Sequence, residues 1–368
     1  MSHNSSVLTP GLHPEPHAIF ATNDVASASR MRTFDLLRGI AILGVVAVHT
    51  SQHFPTGIKL VDLAFQMGRY GVQLFFFVSA LTMCYMWGKR SGERSPIAKF
   101  YIRRFLRIAP LFWLAIPTYL YLQDHPINAS EIAMTAIFLH GFRPDIINSI
   151  VPGGWSIAVE MSFYCIFPLL IIKFKENANK YLYASIFVYF LYEILAKGAI
   201  ISAASGSYSA VVMKEFLFFN FLNQAPVFLL GCYLYFSIGT NNLKENWKIH
   251  AGWLITAFAA KQLLHTEPEG TPSDFLFLLV YSAIGLTAYV ALSKKWSSGV
   301  LEMIGKRSYA IYLSHFIVLA ALSKVLQAGL WMSLLAFTIT VLASHAIAFM
   351  SDNLVERHVH RLATRLTR

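Results

Sequence analysis

Charge is scarce in this 368-residue chain: only 13% of residues are Asp, Glu, Lys or Arg, about half the share usual in a soluble domain. Hydrophobic residues make up 56%, in long runs that recur over nearly the whole length, and mean hydropathy is +0.52. This excludes an ordinary soluble fold and predicts an all-α, polytopic membrane helix bundle. Cysteine is scarce too. Cys84, Cys165 and Cys232 stand singly in apolar segments without a C-x-x-C, which argues against a disulfide framework or a zinc site. An H-E-x-x-H is also missing and the histidines are scattered, so no metal site is expected. The first 30 residues lack an apolar core, which excludes a cleavable signal peptide in that stretch and predicts a poorly ordered tail. Neither an internal repeat nor a low-complexity segment is evident. The net charge of +11 resembles a nucleic-acid signal, but the basic residues lie mainly between the apolar runs. Membrane topology explains them better, and no nucleic-acid partner is expected.

What is present is a series of runs about the length a bilayer requires, roughly 17–25 residues. They fall at 34–54, 69–88, 105–122, 154–173, 180–200, 214–238, 252–264, 274–293, 308–326 and 330–351. About ten crossings are therefore expected. A further apolar stretch, "EIAMTAIFLH" (131–140), is too short to cross and reads as a re-entrant half-helix. The basic segment "GKRSGERSPIAKFYIRRFLR" (88–107) is expected on the cytoplasmic side. With 131–140 re-entrant, Lys173, Lys175, Lys180, Lys244, Lys248, Lys294, Lys295, Lys306, Arg307 and the basic tail fall on that same side. The acidic loop "HTEPEGTPSD" (265–274) then lies opposite. The expected organisation is a polar cytoplasmic tail (1–33), one membrane domain (34–352) and a basic cytoplasmic tail (353–368), in a bacterial inner membrane.

Within the first run, "FDLLRGIAILGVVAVHTSQHF", two titratable groups are held where they are costly. Arg38 and His49 are eleven residues apart, about 20° past three full turns, so they share one helix face roughly 16 Å apart along the axis. Such a stripe predicts a polar channel. The competing reading pairs Arg38 with Asp35 three residues earlier and makes His49 a hydrogen-bonded bundle residue.

Several motifs carry a resemblance. "FDLLRGIAILGVVAVH" (34–49), "FYIRRFLRIAPLFW" (100–113), "GGWSIAVEMSFY" (153–164), "IGKRSYAIYLSHF" (304–316) and "LVERHVHR" (354–361) occur in this order. Together they resemble acyltransferase family 3, integral membrane O-acyltransferases of cell-surface carbohydrates. The Arg–His spacing falls on Arg38 and His49, the R-x-x-R on Arg104 and Arg107, and the W-S-x-x-x-E on Trp155, Ser156 and Glu160. An extracytoplasmic hydrolase-like domain, which follows the bundle in some relatives, has no counterpart here, so the resemblance implies a partner if that second step is used.

The resemblance implies transfer of an acyl group, commonly acetyl, from cytoplasmic acyl-coenzyme A to a hydroxyl of a carbohydrate or lipid-linked sugar. Acyl-coenzyme A would be a donor substrate, and no permanently bound cofactor is expected. Arg103, Arg104 and Arg107 suit its phosphates, although arginines at a cytoplasmic helix end also serve orientation and anionic lipids. Glu160 and His49 fall at similar depth, which predicts His49 as general base and Glu160 as its orienter. Ser156 is the one nearby hydroxyl for a covalent acyl-enzyme, which direct transfer does not need. Arg38, Ser156 and His315 are candidate substrate contacts, His315 on a polar stripe with Ser308 and Tyr312. A transporter or flippase for a lipid-linked sugar is the alternative, since it too would line a path with ionisable groups. The acceptor, acyl group and oligomeric state are left open.

Overall fold

A computed structural model describes residues 24–123, 127–204, 206–238, 285, 290–291 and 295–367. The chain is mainly helical over these residues, without a strand among them. In order, the helices are α1 (Asp24–His53), α2 (Lys59–Gln66), α3 (Gly71–Arg90), α4 (Pro96–Leu122), α5 (Ala129–Ala136), α6 (Gly154–Phe174) and α7 (Ala178–Leu191). They continue as α8 (Lys197–Ala203), α9 (Ala210–Phe219), α10 (Phe221–Ile238), α11 (Gly299–Lys306), α12 (Ser308–Leu322), α13 (Leu330–Ser351) and α14 (Arg357–Leu366). A π turn joins α7 to α8 and another joins α13 to α14.

Among the described residues, six helical stretches are long and apolar enough to cross a membrane, and they cover the expected spans at 69–88, 105–122, 154–173, 180–200, 214–238 and 330–351. Two others differ from the simple pattern. The run at 34–54 lies within a 30-residue helix that starts ten residues earlier, and 308–326 shortens to 15 residues. A helix wrapped by protein need not present a full apolar length to lipid, and much of α12 is buried. The spans expected at 252–264 and 274–293 lie outside the described residues except for Gly285, Val290 and Ala291, as does the tail before Asp24.

The short stretch at 131–140 becomes α5, eight residues, or about 12 Å, far less than the roughly 30 Å hydrocarbon core. The Asn128 side chain accepts from the Glu131 amide at its start, a standard N-cap. Its continuation is held under the start of α6. The buried His140 ring donates Nε2–H to the Gly154 carbonyl at 3.0 Å and stacks on Phe112.

The core centres on α3, flanked by α1 and α10. Phe76, Phe163 and Phe228 stack at 4.7 and 4.1 Å, so part of the phenylalanine content packs the interior while Phe187 and Phe349 are exposed. Helices α1 and α11 approach to backbone contact. A Cβ on Gly305 would lie 1.7 Å from the Asp35 carbonyl oxygen, and one on Gly39 would lie 2.2 Å from that of Leu301. Small residues permit such approach in membrane bundles, and here they fix the helix that carries Arg38 and His49.

Candidate active site

Two cavities meet at the basic end of the bundle. The larger, about 580 Å³, is walled by α3, α4, α14 and the α11–α12 corner, with Arg90, Arg103, Lys306 and His360 around it. The smaller, about 60 Å³, lies deeper and is lined by Arg38, Ser79, Ser156, Glu160, Tyr164 and Tyr312, among others. Arg104, Arg107 and Tyr309 line both. The deeper cavity has room for a few waters.

The three arginines of α4 differ in what they already hold. Arg103 forms an ion pair with Glu93. Arg104 lies over the rings of Phe100 and Tyr164, at 5.6 and 5.3 Å from their centroids, so its face is engaged while it has no carboxylate partner among the described residues. Arg107 is exposed to the cavity and also lacks such a partner. Guanidinium edges without carboxylates are the groups free to grip phosphate.

Arg38 has both features that competed in its sequence. It pairs with Asp35 at 2.9 Å and donates to Thr82 Oγ1 at 2.6 Å, and it lines the deeper cavity. Glu160 accepts from Ser79 Oγ at 2.6 Å and Tyr164 Oη at 2.5 Å, both on Oε1. Its Oε2 has no hydrogen-bond partner among the described residues and remains available as an acceptor. Ser156, one turn away, forms a triangle with Tyr312 Oη and the Gly153 carbonyl, each contact 2.9 Å. Gly153 is required there: its φ is +77° and a Cβ would lie 2.5 Å from Tyr312 Oη. The Ser156 hydroxyl donates to the Gly153 carbonyl and Tyr312 Oη, and no imidazole among the described residues accepts its proton to activate it.

His49 lies outside the linings of both cavities. Its neighbours are His315, with ring centroids 5.3 Å apart, and Phe316 at 4.3 Å. Its Nδ1 is 2.8 Å from Gln52 Oε1. As the amide is placed, Oε1 can only accept, so Nδ1 carries a proton, and in the neutral ring Nε2 then presents the lone pair. The expected orienter of His49 therefore changes: Gln52, one turn along the same helix, occupies that position, and Glu160 bonds to Ser79 and Tyr164 instead. Equal depth on two helices does not make two side chains face each other.

His315 is fully buried, with Nδ1 2.7 Å from the Tyr312 carbonyl. A carbonyl only accepts, so Nδ1 is again a protonated nitrogen, and Nε2 is buried with no hydrogen-bond partner among the described residues. The stripe Ser308, Tyr312, His315 thus connects the two parts of the site: the first two line the deeper cavity and the third meets His49. Ser79, Thr82, Tyr309 and Gln52 escaped the sequence reading. Only Gln52 left a trace there, as H-x-x-Q at helical spacing.

Residues 31–351 match the family model described as "Acyltransferase domain". A Staphylococcus aureus (strain MSSA476) protein whose name gives O-acetyltransferase as a provisional activity is 25% identical over 323 residues, 79% of this chain and 51% of that protein. The peptidoglycan O-acetyltransferase OatA of Listeria monocytogenes is 24% identical over 373 residues, covering 89% and 56% of the two chains. The O-acetyltransferase OatA of Staphylococcus aureus (strain NCTC 8325) is 22% identical, covering 89% and 57%. The chain thus spans about half the length of these relatives. No solved structure matches it.

Proposed function

The chain belongs to the acyltransferase family whose domain model it matches over residues 31–351, and on that premise we propose that it is an integral membrane O-acyltransferase. It moves an acyl group, acetyl by the relatives' names, from cytoplasmic acyl-coenzyme A to a hydroxyl of an envelope carbohydrate or lipid-linked sugar. The observation that supports this reading is a cation-lined cavity that shares Arg104, Arg107 and Tyr309 with a smaller polar cavity, which Tyr312 lines on the same helix as His315, the ring beside His49.

Donor phosphates bind Arg104 and Arg107 in the large cavity, with Arg103 contributing field rather than contact because Glu93 engages it. The pantetheine arm enters the deeper cavity, where Glu160 Oε2 accepts from its amide N–H groups. The arm is wider than the few waters that space holds, so Tyr309 and Tyr312 move aside as it enters. His49 Nε2 then takes the proton of the acceptor hydroxyl while that oxygen attacks the thioester carbonyl carbon. Gln52 holds the productive tautomer, and His315 Nε2 accepts a hydrogen bond from a different hydroxyl of the acceptor. The carbon–sulfur bond breaks, the ester remains on the acceptor, and the leaving thiolate takes the proton from the His49 imidazolium. Transfer is direct, with no acyl-enzyme on Ser156. The basic end faces the cytoplasm and His49 the opposite side, which lets a cytoplasmic donor serve an acceptor outside.

The test is label transfer from radiolabelled acetyl-coenzyme A in inside-out membrane vesicles, wild type against His49→Ala. Label in lipid-linked or polymeric sugar with wild type alone supports the proposal. Equal labelling with both forms would remove His49 from the reaction, and no label with any acyl-coenzyme A would refute the donor.

A further inference from the structure

The last helix shows three distinct faces. At about 100° per residue, Arg357, Arg361 and Arg365 of α14 fall within an arc of about 80°, with His358 beside them. All three arginines are exposed, and none has a carboxylate partner among the described residues. The next arc carries Leu362 and Leu366, exposed at 45% and 56%, with Leu354 just before the helix exposed at 70%. The remaining arc, with Val359, His360, Ala363 and Thr364, forms a wall of the 580 Å³ cavity.

Helix position accounts for this division. The 22 residues of α13 rise about 33 Å, close to the thickness of the hydrocarbon core. The first charged residues after it, Asp352 and Glu356, lie in the π turn, and Arg307 pins that turn through Asp352 at 2.7 Å. Helix α14 therefore starts where hydrocarbon gives way to headgroups. A basic face beside exposed leucines is the pattern of a helix lying in that boundary, and its charge complements anionic headgroups.

We propose that α14 binds anionic lipid headgroups through Arg357, Arg361 and Arg365, and that this contact sets the wall of the donor cavity, so that donor affinity depends on the surrounding lipid. The lipid contact is independent of the assigned reaction; the coupling to donor rests on the donor reading above.

The full-length protein in nanodiscs of phosphatidylcholine, with and without phosphatidylglycerol, separates the two parts. Hydrogen exchange over residues 357–366 is expected to slow several-fold when phosphatidylglycerol is present. The difference should vanish in an Arg357→Gln, Arg361→Gln, Arg365→Gln variant and shrink at high salt. Equal exchange in both bilayers overturns the lipid contact. Coenzyme A affinity is expected to fall several-fold in the neutral disc and in the triple variant. Equal affinity in both discs overturns the coupling, while binding in neither disc would refute the donor reading and leave the lipid contact judged by exchange alone.

Discussion

The cation-lined cavity and the histidine pair are built from opposite materials. At the larger cavity, Arg90 and Arg103 share Glu93, while Arg104, Arg107 and Lys306 have no carboxylate in ion-pair contact among the described residues. At the histidine pair, His49 and His315 lie ring beside ring, an amide and a backbone carbonyl hold their protonated nitrogens, and no carboxylate among the described residues is hydrogen-bonded to either. Charge left unneutralised grips a polyanion. Neutral imidazoles with fixed tautomers and bare lone pairs accept protons. In the proposed reaction, donor binding and proton transfer fall to different regions, with α12 carrying Tyr309 and Tyr312 at one and His315 at the other.

That division is broken most severely by removing the base. His49→Ala should lower kcat by about a hundredfold or more, in the range general-base catalysis supplies, with donor affinity and membrane assembly unchanged; steady-state kinetics and a coenzyme A titration of the purified variant check both. Next in size, Arg104→Ala and Arg107→Ala should each raise KM for acyl-coenzyme A by about tenfold or more, as expected for losing a charged hydrogen-bond donor. Their kcat should change little. Arg104→Lys should recover only part of the loss, because an ammonium lacks the planar fork. Arg103→Ala should do much less, since Glu93 already occupies that guanidinium.

Much of this division was legible in the sequence, and the limits have physical causes. Arg38, Arg104, Arg107, Ser156 and Glu160 each stand out as a polar side chain in an apolar run, and they line one cavity, whereas their sequence positions suggested Glu160 beside His49 and apart from the arginines. The half-helix was legible from its length. The partner of His49 was not. Helical periodicity gives azimuth on one helix and depth in the membrane, but not how two helices are turned toward each other. Gln52 lies three residues from His49 on the same helix, a spacing common enough in any helix to pass without notice. The contacts of Ser79 and Thr82 depend on α3 packing between α1, α6 and α10, which no single run encodes.

Smaller effects sharpen the contrast between Gln52 and Glu160. Gln52→Leu should cost about tenfold in kcat by releasing the His49 tautomer, with Gln52→Glu restoring most of it, since a carboxylate also accepts from Nδ1. Glu160→Gln should instead act mainly on KM, by a few-fold, because the amide oxygen can still accept from Ser79 and Tyr164. A pH–rate profile of each pair would separate the two, since only the Gln52 variants touch the hydrogen-bond partner of the base.

The most direct measurement is coenzyme A binding and acetyl turnover on the same preparation of His49→Gln. Separate regions for binding and proton transfer predict an unchanged Kd with turnover lost by two orders of magnitude or about that. Turnover within tenfold of wild type, or a Kd weakened as much as in Arg107→Ala, would contradict the division of the site.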